Sequence, residues 1–129
     1  MSNLLSAFND HFSSFVEDIQ QLFPEDVDLM TAKNSFIAIR KINPKLIITI
    51  WKTHIVDVYQ NQIISGNLHF FIDKDYSGDV QSSSNSDKIL QAINRLRDPV
   101  KKMDKLNQDK VMKYIQNLTQ LCNLYLKNN

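Results

Sequence analysis

Residues 44–64 read PKLIITIWKTHIVDVYQNQII, and the fold class turns on whether this run is a strand or a helix. Its first part, LIITIW (46–51), is rich in β-branched and aromatic side chains and would suit a buried strand. The apolar side chains nevertheless return at helical spacing: Leu46, Ile47, Ile50, Trp51, Ile55, Val58, Tyr59 and Ile63. Strands rarely exceed about ten residues, so a pattern sustained through Tyr59 predicts one helix at the centre of a core. Asn43-Pro44 reads as an N-cap followed by proline at the first helical position. Ser65-Gly66 reads as its stop.

The flanks agree with a helical fold. Residues 3–23 carry apolar side chains at 4, 5, 8, 12, 15, 16, 19, 22 and 23, a one-sided helix with an aromatic stripe. His11, Asp18 and Gln21 fall on its polar side, and Pro24 ends it. EDVDLMTAKNSFIAIRKI (25–42) opens with acids and closes with Arg40 and Lys41, which suits the dipole of a second helix. NLHFFI (67–72) predicts one or two helical turns docked on the core. Asn85 or Ser86 would cap a further helix with Ile89, Leu90, Ile93 and Leu96 inward. Asp98-Pro99 should interrupt it, with a new piece over 99–106, and Asn107 should cap a last helix carrying Val111, Tyr114, Ile115, Leu118, Leu121, Cys122 and Tyr125. The expectation is an all-α, compact single-domain bundle (1–129) of about five main helices plus one or two short helical turns. Its polar loop, about 73–86, is long enough to expect a functional or mobile segment.

Composition sets the outer limits. A chain of 129 residues with 43% hydrophobic and 22% charged residues is long and apolar enough for one ordinary core. Two glycines and three prolines argue against a turn-rich β fold. One cysteine allows no internal disulfide and favours a reducing compartment. The N-terminus lacks the pattern of a signal peptide, and no apolar run reaches membrane-spanning length. The expected location is therefore cytoplasmic, with no membrane partner. Charge is segregated: residues 1–80 carry a net −4 and residues 81–129 a net +5. Such a split suits either a partner surface or mutual attraction of the two halves inside one fold.

Three constellations invite a chemical reading. DKDYSGDVQSSS (73–84) places Asp73, Asp75, Ser77 and Asp79 at ligand positions of a calcium loop, with Gly78 at the sharp turn. Its last position is Ser84 instead of the bidentate glutamate, so the preferred reading is a polar connection without metal. RLRDPVKKMDK (95–105) supplies Arg95, Arg97, Lys101, Lys102 and Lys105, a candidate phosphate-binding segment. Two aspartates dilute it and no aromatic interleaves, so a solvated helix face is the preferred reading. His54 and Asp57, three apart on a helix, could chelate one ion with His69, but boundary histidines satisfied by solvent or a neighbour are the preferred reading; Cys122 lies on an apolar face. No nucleophile motif or phosphate loop is present. The expectation is no catalytic residue, no cofactor and no small-molecule substrate.

INPKLIITIWKTHIVDVYQNQIISGNLHFFIDKDYSGDV (42–80) carries an Asn-Pro-Lys helix start, Trp51, Tyr59, a Gly66 stop and FF-x-x-K-D-Y-x-x-D-V (70–80), with Leu-Phe-Pro (22–24) upstream. This pattern resembles small uncharacterised proteins of the nucleocytoplasmic large DNA viruses of algae and protists. The likeness covers about residues 20–80. It implies a viral setting, an infected host cytoplasm and a role compatible with the virion, but no activity. It also implies that Lys74-Asp75-Tyr76 and Asp79 serve architecture, not ion binding. Together these readings predict a non-enzymatic module that binds another protein or itself. The expected surface is Phe70, Phe71, Lys74, Asp75, Tyr76 and Asp79, with nucleic acid as the alternative partner.

Overall fold

The computed structural model describes residues 3–73 and 85–127. Among them every regular element is helical: α1 (Leu4–Leu22), α2 (Val27–Ile42), α3 (Leu46–Trp51), a π turn (Lys52–Val56), α4 (Asp57–Ser65), the short α5 (His69–Asp73), α6 (Asn85–Lys101) and α7 (Lys105–Lys127). With α3, the π turn and α4 counted as one helix, kinked at Tyr59 (φ −122°, ψ 24°), the described residues form the expected bundle of five main helices and one short one. Residues 74–84 lie outside the described residues, and with them most of the polar loop.

The deciding run is a helix at the centre of the core. Ile47, Ile48, Ile50, Trp51, Ile55 and Val56 are all buried. The Trp51 ring meets Phe8 and Phe12 edge-on, at 6.4 and 5.8 Å. Its Nε1 donates to Thr119 Oγ1 at 3.3 Å, which satisfies the indole at depth. Asn43 closes α2 and also caps the next helix as expected: its Oδ1 accepts from Lys45 N at 3.2 Å and its carbonyl from Leu46 N, so Pro44 and Lys45 form a turn that leads into the regular helix at Leu46. One correction applies to this run. Val58, expected inward, is 59% exposed. The π turn carries one extra residue and rotates α4 relative to α3, bringing Ile55 and Val56 inward together and turning Val58 out. Thr49 and Thr53 each donate a hydroxyl back to the carbonyl four residues earlier, a bond that bends helices at such places.

Gly66 stops α4 as expected. Its φ of 76° is left-handed. Asn67 N donates to Gln62 O and Gly66 N to Ile63 O, the paired bonds of a Schellman turn. Asn67 Oδ1 then accepts from His69 N to start α5, which seats Phe70, Phe71 and Ile72 in the core.

The basic half departs from expectation. Pro99 does not divide it: α6 runs on to Lys101 with Pro99 buried in its last turns. A proline there removes one backbone bond near the helix end, a small loss beside the burial of Ala92, Ile93, Leu96 and Val100 on the same helix. The cap of α7 is Asp104, whose Oδ1 accepts from Asn107 N at 2.9 Å. Asn107 is thus the third residue of the helix, not its cap.

Candidate functional site

The site is built by the pairing of α1 with α7. Both expose an apolar stripe to the same core. Phe8, Phe12, Phe15, Val16 and Ile19 come from α1, and Val111, Ile115, Leu118 and Cys122 from α7. Trp51 connects Phe8 to Thr119, while Tyr114 sits against Phe15 and Asp18, so the helices run antiparallel. Where the seam opens, a cleft of about 480 Å³ runs along it from His11 to Leu22 on α1 and from Asn117 to Met103 beside α7. Its floor is Phe15, Ile19, Val111 and Tyr114; Asp18 and Gln21 edge one side, Lys110 and Lys113 the other.

One polar cluster crosses the seam. The Tyr114 hydroxyl donates to the Asp18 carboxylate. Burial, and next this hydrogen bond, push the phenol up to about 12, so it remains a donor throughout the neutral range. The His11 ring lies tilted against Tyr114, centroids 4.8 Å apart, and its Nε2 is buried with no hydrogen-bond partner among the described residues. Burial lowers the His11 pKa, and the Asp18 charge opposes that in part. Asp18 is therefore engaged by a phenol, and His11 is a ring packed into the seam. No hydroxyl or thiol nucleophile of Ser, Thr or Cys lines the cleft.

Charge around the cleft is uneven. Within the acidic half, Asp10 is bridged by Arg40 at 2.7 Å and Glu17 by Lys33 at 3.9 Å. Lys110 and Lys113 are exposed and have no ion-pair partner among the described residues. A shallower apolar cleft of about 410 Å³ lies between Ile63, Ile64 and Leu124 on the other flank of α7.

The residues singled out in the sequence are dispersed. Phe70 and Phe71 are buried, 8% and 0% exposed, and Phe70 stacks on Tyr59 at 4.8 Å. Their place is in the core, not on a docking surface. Lys74, Asp75, Tyr76 and Asp79, and with them the calcium ligands Asp75, Ser77 and Asp79, lie outside the described residues. Asp73 lies 3.7 Å from the His69 ring. In the basic segment, Arg97 reaches Asn94 Oδ1 and the Ile72 carbonyl, tying α6 to the end of α5. Lys105 faces Asp109 at 3.4 Å, and Arg95 is half-buried. Lys101 and Lys102 stay exposed at the α6–α7 corner. Among the described residues no three of His, Cys, Asp and Glu are placed to share an ion; Asp57 is held by Lys52 at 2.6 Å. Cys122 is buried beneath the π turn, with its Sγ 3.9 Å from the Ile48 carbonyl. Burial foremost pushes the thiol up to about 11, with Lys52 lowering it and Asp57 raising it. No described helix is long and apolar enough to cross a membrane.

The cleft residues were readable only one helix at a time. His11 and Asp18 fall on the polar side of α1, and Tyr114 in the stripe of α7, but nothing in the spacing pairs these helices. No protein-family model, curated protein or solved structure matches the chain.

Proposed function

We propose that the protein is a non-enzymatic interaction module that seats an amphipathic partner segment in the α1/α7 cleft. The observation that carries this reading is the cleft itself: about three helical turns long, with an apolar floor, exposed lysines along one edge and no Ser, Thr or Cys nucleophile in its lining. Helix-in-groove recognition uses such a floor for apolar anchors at i, i+3/4 and i+7, with flanking charges setting the orientation. Lys110 and Lys113 favour an occupant with acidic flanks. A viral setting and presence in a virion are part of the proposal on the resemblance of residues 20–80 alone.

Selection of displayed amphipathic helices against the whole chain tests the reading. Binders should share apolar anchors with Asp or Glu beside them. Leu22→Glu and Lys113→Glu each alter an exposed residue of the cleft and should each weaken binding about tenfold or more without lowering the melting temperature, the first by putting a charge on an apolar contact and the second by setting like charges face to face. Binders insensitive to both changes would sink the proposal. Salt-sensitive binding of a duplex that depends on Lys101 and Lys102 would favour the nucleic-acid alternative instead.

A further inference from the structure

We infer that the occupant of the α1/α7 cleft is a second copy of this chain, docked about a two-fold axis; the inference rests on the docking reading above. The cleft ends at Leu22, 48% exposed. Immediately beyond it the corner between α1 and α2 presents Val27 and Met30, 70% and 45% exposed. Three exposed apolar side chains within nine residues form a knob that the monomer leaves uncovered. The knob is acidic. Asp26 is committed to capping α2, its carboxylate accepting from Leu29 N. Glu25 and Asp28 are exposed and have no ion-pair partner among the described residues. On the far side of the same cleft Lys110 and Lys113 equally lack an anion among those residues.

Knob and cleft are thus adjacent and opposite in charge. That is the condition for an isologous interface, in which one patch must complement itself. A two-fold rotation seats each knob in the other copy's cleft. Leu22, Val27 and Met30 meet the apolar floor, while Glu25 and Asp28 approach Lys110 and Lys113. Leu106, 66% exposed in the first turn of α7, extends the apolar rim. A standard interface needs about 800 Å² from each partner, a modest share of the 7248 Å² surface of this chain. The charge pairs at the rim choose partner and register more than they add affinity.

Sedimentation equilibrium of the whole chain at micromolar concentration tests the inference. The wild type should have twice the monomer mass. Lys110→Glu/Lys113→Glu and Glu25→Lys/Asp28→Lys should each weaken self-association about tenfold or more, because each sets like charges face to face. Their equimolar mixture should recover the dimer, because both contacts in that heterodimer pair opposite charges, one through the wild-type residues and the other through the mutant residues on both sides. All four sites are exposed, and a cooperative melting transition of each variant establishes that both are folded. A monomeric wild type overturns the inference, as does a dimer indifferent to both charge reversals, or a mixture that stays monomeric. A monomeric wild type that still binds selected acidic helices in the cleft would remove the second copy and leave the docking reading standing. A dimer indifferent to both reversals, with a cleft that takes no helix, would remove both.

Discussion

Burial holds His11 below its ordinary pKa, and the neighbouring Asp18 charge only partly restores it. The native state therefore binds a proton at this ring less readily than the unfolded chain. Stability contributed by the neutral ring is present above the unfolded value and is lost as pH falls below about 6.5 toward the lower folded value. Denaturant titrations at about pH 7.5 and about pH 5.5, on either side of the free imidazole value, should show the wild type weakening toward acid. His11→Gln should flatten that slope. An unchanged slope would place the acid sensitivity elsewhere. Tyr114, with a pKa pushed up to about 12, keeps its proton over the whole range and goes on donating to Asp18.

The corner between α6 and α7 shows how local signals compete within an element. Both Asp104 and Asn107 are residues that cap helices well, and the spacing Asp-x-x-Asn lets either begin α7. The backbone decides between them: Lys102 and Met103 close the end of α6 by bonds to Asp98, Pro99 and Val100, leaving Asp104 free to accept from Asn107 N. Asp104→Ala should therefore cost about 1 kcal/mol of stability, whereas Asn107→Ala should cost a few tenths at most. Thermal melts of the two variants check this, and a larger loss at Asn107 would reverse the assignment. The stripes of α1, α2, α6 and α7 were legible because burial repeats every three to four residues. The π turn was not, because it depends on how Trp51 and Ile55 both reach the core, a demand made by other helices. Val58 pointed inward by spacing alone and is turned outward by that one extra residue.

In the whole molecule, the segregated charge of the sequence becomes a matter of packing. Part of it is consumed within the acidic half, by Asp10–Arg40 and Glu17–Lys33. Part is met where the halves adjoin, by Asp18 and Tyr114. Lys110 and Lys113 line the cleft, Glu25 and Asp28 lie on the corner beyond its Leu22 end, and none of the four has an ion-pair partner among the described residues. Helix number and core membership were legible from Trp51, the α1 aromatics and Ile89 to Leu96. The cleft was not, because periodicity describes one helix and a cleft belongs to two. The same limit explains Phe70 and Phe71, which look like a recognition pair in the chain and are core side chains in the fold. The most direct test is a two-dimensional amide spectrum of the labelled protein, with and without a selected acidic amphipathic helix. Shifts should concentrate at His11, Asp18, Leu22, Asn107, Lys113 and Asn117, all of which line the cleft. Shifts confined to the Ile64/Leu124 flank or to the Lys101/Lys102 corner, with those six amides unmoved, would contradict it.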